Sequence, residues 1–158
     1  MPNLSPGTPG AKEVYGICLI KENLSIRIPP KACNRYKINR NDRALLITGH
    51  KNESGFGLIK EETAKGTVFH KFLIRLNKCN SIYWEKEKAY ALIEIIDYSM
   101  AMKPEIIDAF YLRKHDQLLA IKSTTVSIGF VSLVIWKNKL AKRGYLDAIQ
   151  NIDLLDVF

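Results

Sequence analysis

The sequence predicts a mostly β, internally duplicated barrel with short helices. Three observations lead there. Apolar runs of roughly four to seven residues are separated by Pro, Gly, Asn and Asp; residues 14–59 read strand, proline, short helix, turn, strand; and that order returns 74 positions later. Runs this short, rich in Ile, Leu, Val and Phe and bounded by turn residues, read as strands. The chain has 158 residues, 47% hydrophobic and 25% charged. That suits one compact domain, or two repeated units sharing a core, and excludes wholesale disorder.

Residues 1–12 read as a tail, because Pro2, Pro6, Gly7, Pro9 and Gly10 interrupt any regular structure. Residues 14–20 (VYGICLI) are a β-type run, and residues 24–28 (LSIRI) alternate apolar and polar. Pro29-Pro30 ends that strand, since proline donates nothing to a ladder, and Pro30 suits the first turn of a helix over residues 31–36. Asn39-Arg40-Asn41-Asp42 is a turn cluster; residues 44–48 (ALLIT) and 56–59 are the next strands, joined by a loop over residues 49–55. Residues 67–83 carry β-type runs around an Asn-Lys-Cys-Asn turn, and residues 84–88 (WEKEK) read as an exposed boundary. The longest strongly apolar stretch, residues 126–136, has 11 residues and reads as buried strand. A bilayer span needs about 20, so no membrane is expected. Residues 146–158 read as a short amphipathic helix with Asp147, Asp153 and Asp156 on its polar side.

One gapless offset of 74 aligns Ser25 with Ser99, Pro30 with Pro104, Asp42 with Asp116, Leu45 with Leu119, Ile47 with Ile121, and Gly55-Phe56 with Gly129-Phe130. Over residues 17–56 that gives 7 identities in 40 positions, and they include the helix-starting proline, the turn aspartate and the Gly-Phe that opens a strand. Those are the positions a repeated unit must keep. The expected organisation is a disordered tail (1–13), a first repeat (14–66), a connecting β segment (67–88), a second repeat (89–144) and a C-terminal tail (145–158).

Net charge is +8, and the excess is one-sided: residues 1–80 hold 14 Lys/Arg against 6 Asp/Glu, whereas residues 81–158 hold ten of each. Lys31, Arg35, Lys37, Arg40 and Arg43 fall within thirteen residues, opposed only by Asp42. Such density suits a polyanion, because each neutralised phosphate releases condensed counterions. A solvated face that aids solubility is the bland alternative.

Residues 26–59, IRIPPKACNRYKINRNDRALLITGHKNESGFGLI, resemble the AbrB/SpoVT swapped-hairpin domain. That family reads strand, Ile-Pro, one short helix, an apolar residue, a turn with Asp, then a β-hairpin. Ile28-Pro29, Ile38 and Asp42 supply these features, and Pro104, Leu112 and Asp116 repeat them. Two copies in one chain resemble the MraZ branch. The resemblance implies a swapped-hairpin (cradle-loop) barrel acting as a DNA-binding transcription regulator. Neither copy has the Gly-Arg that members carry before the strand leading to Ile-Pro; Asn23-Leu24-Ser25 and Tyr98-Ser99-Met100 stand there. The Asp-x-x-x-Arg of the MraZ branch is absent too. DNA contact then falls to other cations of the first repeat. Lys21, Lys31 and Lys37 are the expected phosphate anchors, and Arg27, Arg35, Arg40 and Arg43 the candidates for base readout, since the guanidinium fork matches guanine edges. The second copy has Ile95, Ala101, Glu105 and Ala109 where the first has Lys21, Arg27, Lys31 and Arg35, so one chain does not read a palindrome symmetrically; a homodimer presenting two first copies would. A second reading is a non-catalytic cradle-loop or double-psi barrel module for protein interaction, which uses the same unit twice.

Catalytic readings are weak. His115-Asp116 precedes Ser123-Thr124-Thr125, but His115 aligns with Asn41 and reads as a polar turn residue. Gly55-x-Gly57 is followed by no Lys-Ser/Thr and reads as part of a hairpin. Cys33 aligns with apolar Ile107 and reads as core. Cys18, Cys33 and Cys79 form no CxxC pair, so neither a disulfide framework nor a metal site is encoded, and no cofactor is expected. No signal peptide is visible, which makes a cytoplasmic location the default.

Overall fold

The computed structural model describes residues 13–48 and 54–158. The expected N-terminal tail up to residue 12, and residues 49–53 of the expected loop, lie outside these. β1 (Val14–Leu19) and β2 (Ser25–Arg27) lead to α1 (Pro30–Tyr36), β3 (Asp42–Thr48) and β4 (Gly55–Lys60). Then come α2 (Glu61–Lys65), α3 (His70–Arg75), β5 (Ser81–Glu85), β6 (Lys88–Ile96) and β7 (Ser99–Ala101). After them come α4 (Pro104–Ala109), β8 (Gln117–Lys122), β9 (Ile128–Ser132), α5 (Leu133–Lys142) and α6 (Leu146–Asp153).

The described strands form one sheet in the order β1-β8-β9-β4-β3-β6-β7-β2, every pair antiparallel, with β5 beside β6. The sheet curls into a nearly closed barrel. Between its two ends, the Lys21 N–H donates to the Ser25 carbonyl at 3.0 Å. The protein is therefore mostly β, with a few short helices.

Strand alternation sorts side chains into two layers. Ala44 and Leu46 of β3, Ile93 and Ile95 of β6, and Leu118 and Ala120 of β8 point into the barrel with Ile26, Phe56, Phe110 and Phe130. Their neighbours Leu45 and Leu92 meet α2 and α3, while Leu119 and Ile121 meet α5 and α6. These strands are covered on both faces, which is why they read as continuous apolar runs.

Four strand pairs, β1–β8, β2–β7, β3–β6 and β4–β9, join the halves of the chain, and in two of them a residue faces the one 74 positions away: Ile26 opposite Met100 in β2–β7, and Phe56 opposite Phe130 in β4–β9. The Phe56 and Phe130 rings stack at 4.9 Å. The Ile28 N–H donates to the Tyr98 carbonyl (2.9 Å), and the Met102 N–H to the Leu24 carbonyl (3.1 Å). Leu24 and Tyr98 both take a left-handed backbone, with φ of 62° and 61°, as do Lys37 and Tyr111 at 55° and 57°. The turn after each short helix closes in the same way. Ile38 N–H donates to Cys33 O and Leu112 N–H to Ile107 O; Asp42 Oδ2 accepts from Asn39 N–H and Asp116 Oδ2 from Arg113 N–H.

Two strand expectations are corrected. Within residues 67–83, His70–Arg75 is helix. Phe69, Phe72, Leu73 and Leu76 sit at i, i+3, i+4 and i+7 and all pack into one cluster, where Phe72 stacks on Tyr90 at 3.7 Å. The stretch 126–136 is strand only to Ser132. There the Ser132 hydroxyl accepts from the Ile135 N–H and starts α5, which presents Leu133, Trp136 and Leu140 to β1 and β8. The expected C-terminal helix forms as α6, with Asp156 beyond it. Residues 84–88, expected as a boundary, are the β5–β6 hairpin.

The free edges of β6 and β1 are both covered. β5 covers β6, and residues 156–158 run parallel to β1, with Ile17 N–H donating to Asp156 O and Leu19 N–H to Phe158 O. The close approach depends on Gly16, whose φ is 150°: a Cβ there would lie 2.6 Å from the Phe158 ring. Gly16→Ala should therefore cost about 1–3 kcal/mol in thermal unfolding. Combined with Phe158→Ala it should cost less than the sum of the two single changes, because the clash is gone. Strict additivity would show that Phe158 does not press on β1.

Candidate nucleic-acid interface

Pro30 opens α1, where its missing N–H costs no helical bond, and the left-handed Lys37 closes it. Ala32 and Cys33 face inward, leaving Lys31, Asn34, Arg35 and Lys37 exposed. Lys31 and Arg35, at i and i+4, share one helical face. The matching positions around α4 are Glu105, Asp108, Ala109 and Tyr111, so at these four positions the first half carries three cations and the second none.

Of the seven cations singled out from the sequence, Lys31, Arg35 and Lys37 are brought together by α1 and its turn. Lys21 follows β1, at the end away from Glu13, and Arg27 is half-buried on β2 opposite Ser99. Three of the four arginines proposed for readout are held by acids: Arg35 by Glu13 (3.5 Å), Arg40 by Asp97 (3.0 Å) and Arg43 by Glu61 (2.6 Å). The Asp97 contact points Arg40 at the β6–β7 turn, and the Glu61 contact points Arg43 at α2. Exposed pairs of this kind are worth about 0–1 kcal/mol, so phosphate competes with them on near-equal terms. Lys21, Arg27, Lys31 and Lys37 make no ion pair among the described residues.

Two further cations reach this region. Lys60, at the end of β4, donates from Nζ to the Lys37 carbonyl at 2.8 Å and lies 3.4 Å from Asp42 Oδ2. Lys122, at the end of β8, lies near Glu13; the Tyr15 hydroxyl, with Arg35 and Lys122, holds that carboxyl below its ordinary range. Neither lysine stands out in a scan for cation density. Aligning the halves and asking where charge disagrees would have found Lys60, because its partner position is Val134.

His115 Nε2 lies 2.9 Å from Glu22 Oε2, while the Thr124 hydroxyl is bonded to Ser127. No group of three or more His, Cys, Asp or Glu among the described residues could hold a metal. No helix is long and apolar enough to cross a membrane. Burial pushes the Cys18 thiol up to about 12 and the Cys33 thiol up to about 11, and it raises Cys79 as well. Cys18 and Cys33 are buried and Cys79 is half-exposed. Iodoacetamide at pH 8 should therefore label the native protein at Cys79 and leave Cys18 and Cys33 untouched, read by peptide mass spectrometry. Labelling of Cys33 in folded protein would show that α1 opens readily.

No protein-family model matches the chain and no curated protein matches it, so the cationic face of α1 is the feature from which a function is read.

Proposed function

We propose that the protein binds double-stranded DNA as a transcription regulator of the AbrB-like type. In this reading two tandem swapped-hairpin units build the barrel within one chain. The unit reading is supported by the turns, left-handed residues and crossed hydrogen bonds that recur at the 74-residue offset. The DNA reading rests on one observation. Lys31, Arg35, Lys37 and Lys60 of the first half stand where the second half has Glu105, Ala109, Tyr111 and Val134. Because the second half folds the same way without them, those cations are not required by the fold, and a polyanion is the partner that uses them.

In this reading Lys31 and Lys37 neutralise phosphates, and Arg35 exchanges Glu13 for a phosphate or a base edge. Arg40 and Arg43 would have to leave Asp97 and Glu61, so they contribute less than their number suggests. Lys21 and Arg27 extend the contact along the first half. Two chains presenting two such faces would suit a two-fold site, which makes a homodimer the expected bound form.

The second reading, a protein-interaction module, is favoured by Tyr111 and Val134, which are 60% and 68% exposed at the positions matching Lys37 and Lys60.

Fluorescence anisotropy of a labelled duplex separates the two. Affinity should fall by orders of magnitude between about 50 and 200 mM salt. Lys31→Ala with Lys37→Ala should weaken binding about tenfold or more and reduce the salt slope by about two, whereas Lys137→Ala with Lys139→Ala on α5 should leave both nearly unchanged. Equal losses from the two pairs would remove α1 from the site. No binding at low salt would leave the interaction module as the reading.

A further inference from the structure

Beside the C-terminal end of α1 lies a cleft of about 120 Å³, whose polar lining comes from Arg35, Lys37, Lys60, Thr63 and Thr125. We propose that this cleft seats a single phosphate group, carried either by a nucleic-acid backbone or by a small phosphorylated molecule.

Size and lining both fit. The volume equals roughly four waters at about 30 Å³ each, enough for a tetrahedral oxyanion. The Thr63 and Thr125 hydroxyls have no hydrogen-bond partner among the described residues, and hydroxyls at a rim donate to phosphate oxygens. The turn that carries Thr125 is fixed against α1, because the Tyr36 hydroxyl donates to the Thr124 carbonyl at 2.8 Å. The cations outnumber the acids they face. Arg35 meets Glu13 and Lys60 meets Asp42, but Lys37 meets no carboxylate. A phosphate would restore the balance.

Lys60 is the least expected member. Its side chain is 13% exposed, and Asp42 opposite it is 16% exposed, so an ammonium has been largely withdrawn from water. Two of its three N–H groups are directed at Lys37 O and Asp42, leaving one for a ligand. A structural role would be to hold the left-handed turn at Lys37. The second half tests that role directly. Its counterpart turn at Tyr111 forms with the same bonds, Leu112 N–H to Ile107 O at 3.0 Å and Arg113 N–H to Asp116 Oδ2 at 2.8 Å, although Val134 stands in place of Lys60. The turn does not need the lysine.

The counterpart cleft shows what the site looks like without a phosphate to hold. It is wider, about 340 Å³, and is lined by Tyr111, Val134 and the carboxylate of Asp116, with Arg113 its one cation. Two pockets sharing one backbone frame thus differ in the residues that would contact an anion.

The test is an amide chemical-shift titration of the intact protein with inorganic phosphate at low ionic strength, with chloride at matched ionic strength as control. Saturable movement centred on Lys37, Ile38, Thr63 and Thr125, absent with chloride and weakened about tenfold or more by Lys37→Ala, is the expected result. Thr125→Val, which keeps shape and removes only the hydroxyl, should weaken it as well and guards against a misfolded variant. Movement equal with chloride, or spread over lysines throughout the surface, overturns the seat. A second titration with duplex DNA and a third with glycerol phosphate identify the source. The same amides moving with duplex mean a backbone phosphate. Movement with phosphate and glycerol phosphate, and none with duplex, supports the seat and overturns the DNA reading. Duplex binding that bypasses these amides while phosphate is silent does the reverse.

Discussion

Phe56 lies on Phe130 where β4 meets β9, and the rest of the barrel is arranged around that contact. Phe110, from the end of α4, closes on Phe56 at 5.5 Å, tying a helix to the same centre. Backbones must approach closely there, and the flanking glycines allow it. Gly55 sits at a φ of 124°, where a Cβ would fall 2.1 Å from the Phe130 carbonyl. With that join fixed, β3 and β8 extend outward on either side, and each is buried between the barrel interior and a helical cover.

The turns after α1 and α4 share one backbone frame and put it to different chemical use. Asp42 and Asp116 each close a turn through a backbone N–H, but among the described residues only Asp42 also faces an ammonium. The frame dictates the aspartates; it does not dictate Lys31, Arg35, Lys37 or Lys60. Charge that the fold does not require is the most direct pointer to function in this molecule.

The barrel class was legible because the strongest local rules agree in both halves: Pro at the first helical turn, Asp closing the following turn, Gly-Phe within the later strand. Two segments misled for a physical reason. Residues 69–76 contain helical spacing, but Phe, Leu and Ile are common to strands and helices, and the run is short. Residues 126–136 are apolar throughout, and only the cap at Ser132 tells where strand becomes helix. The α1 cations were visible as a linear cluster. Lys60 and Thr125 were not, since they reach the cleft from β4 and from the β8–β9 turn, far along the chain. Conversely, Arg40 and Arg43 looked available in sequence and are tied to Asp97 and Glu61, which only the folded chain brings near.

The exchange between β2 and β7 has a consequence for how the molecule comes into being. Ile26 must wait for Met100, and Ile28 for Tyr98, before β2 has a partner strand. At a synthesis rate of about 5–20 residues per second, the gap of 74 residues corresponds to roughly 4–15 s. Through that interval the first half emerges with an apolar strand unpaired and its Phe56 uncovered. Loop closure over such a span is slow compared with local helix formation. The nascent chain thus passes through a window of exposed strand edge that ends only when the second half arrives, and during that window its own solubility depends on the positive charge concentrated in the part already made.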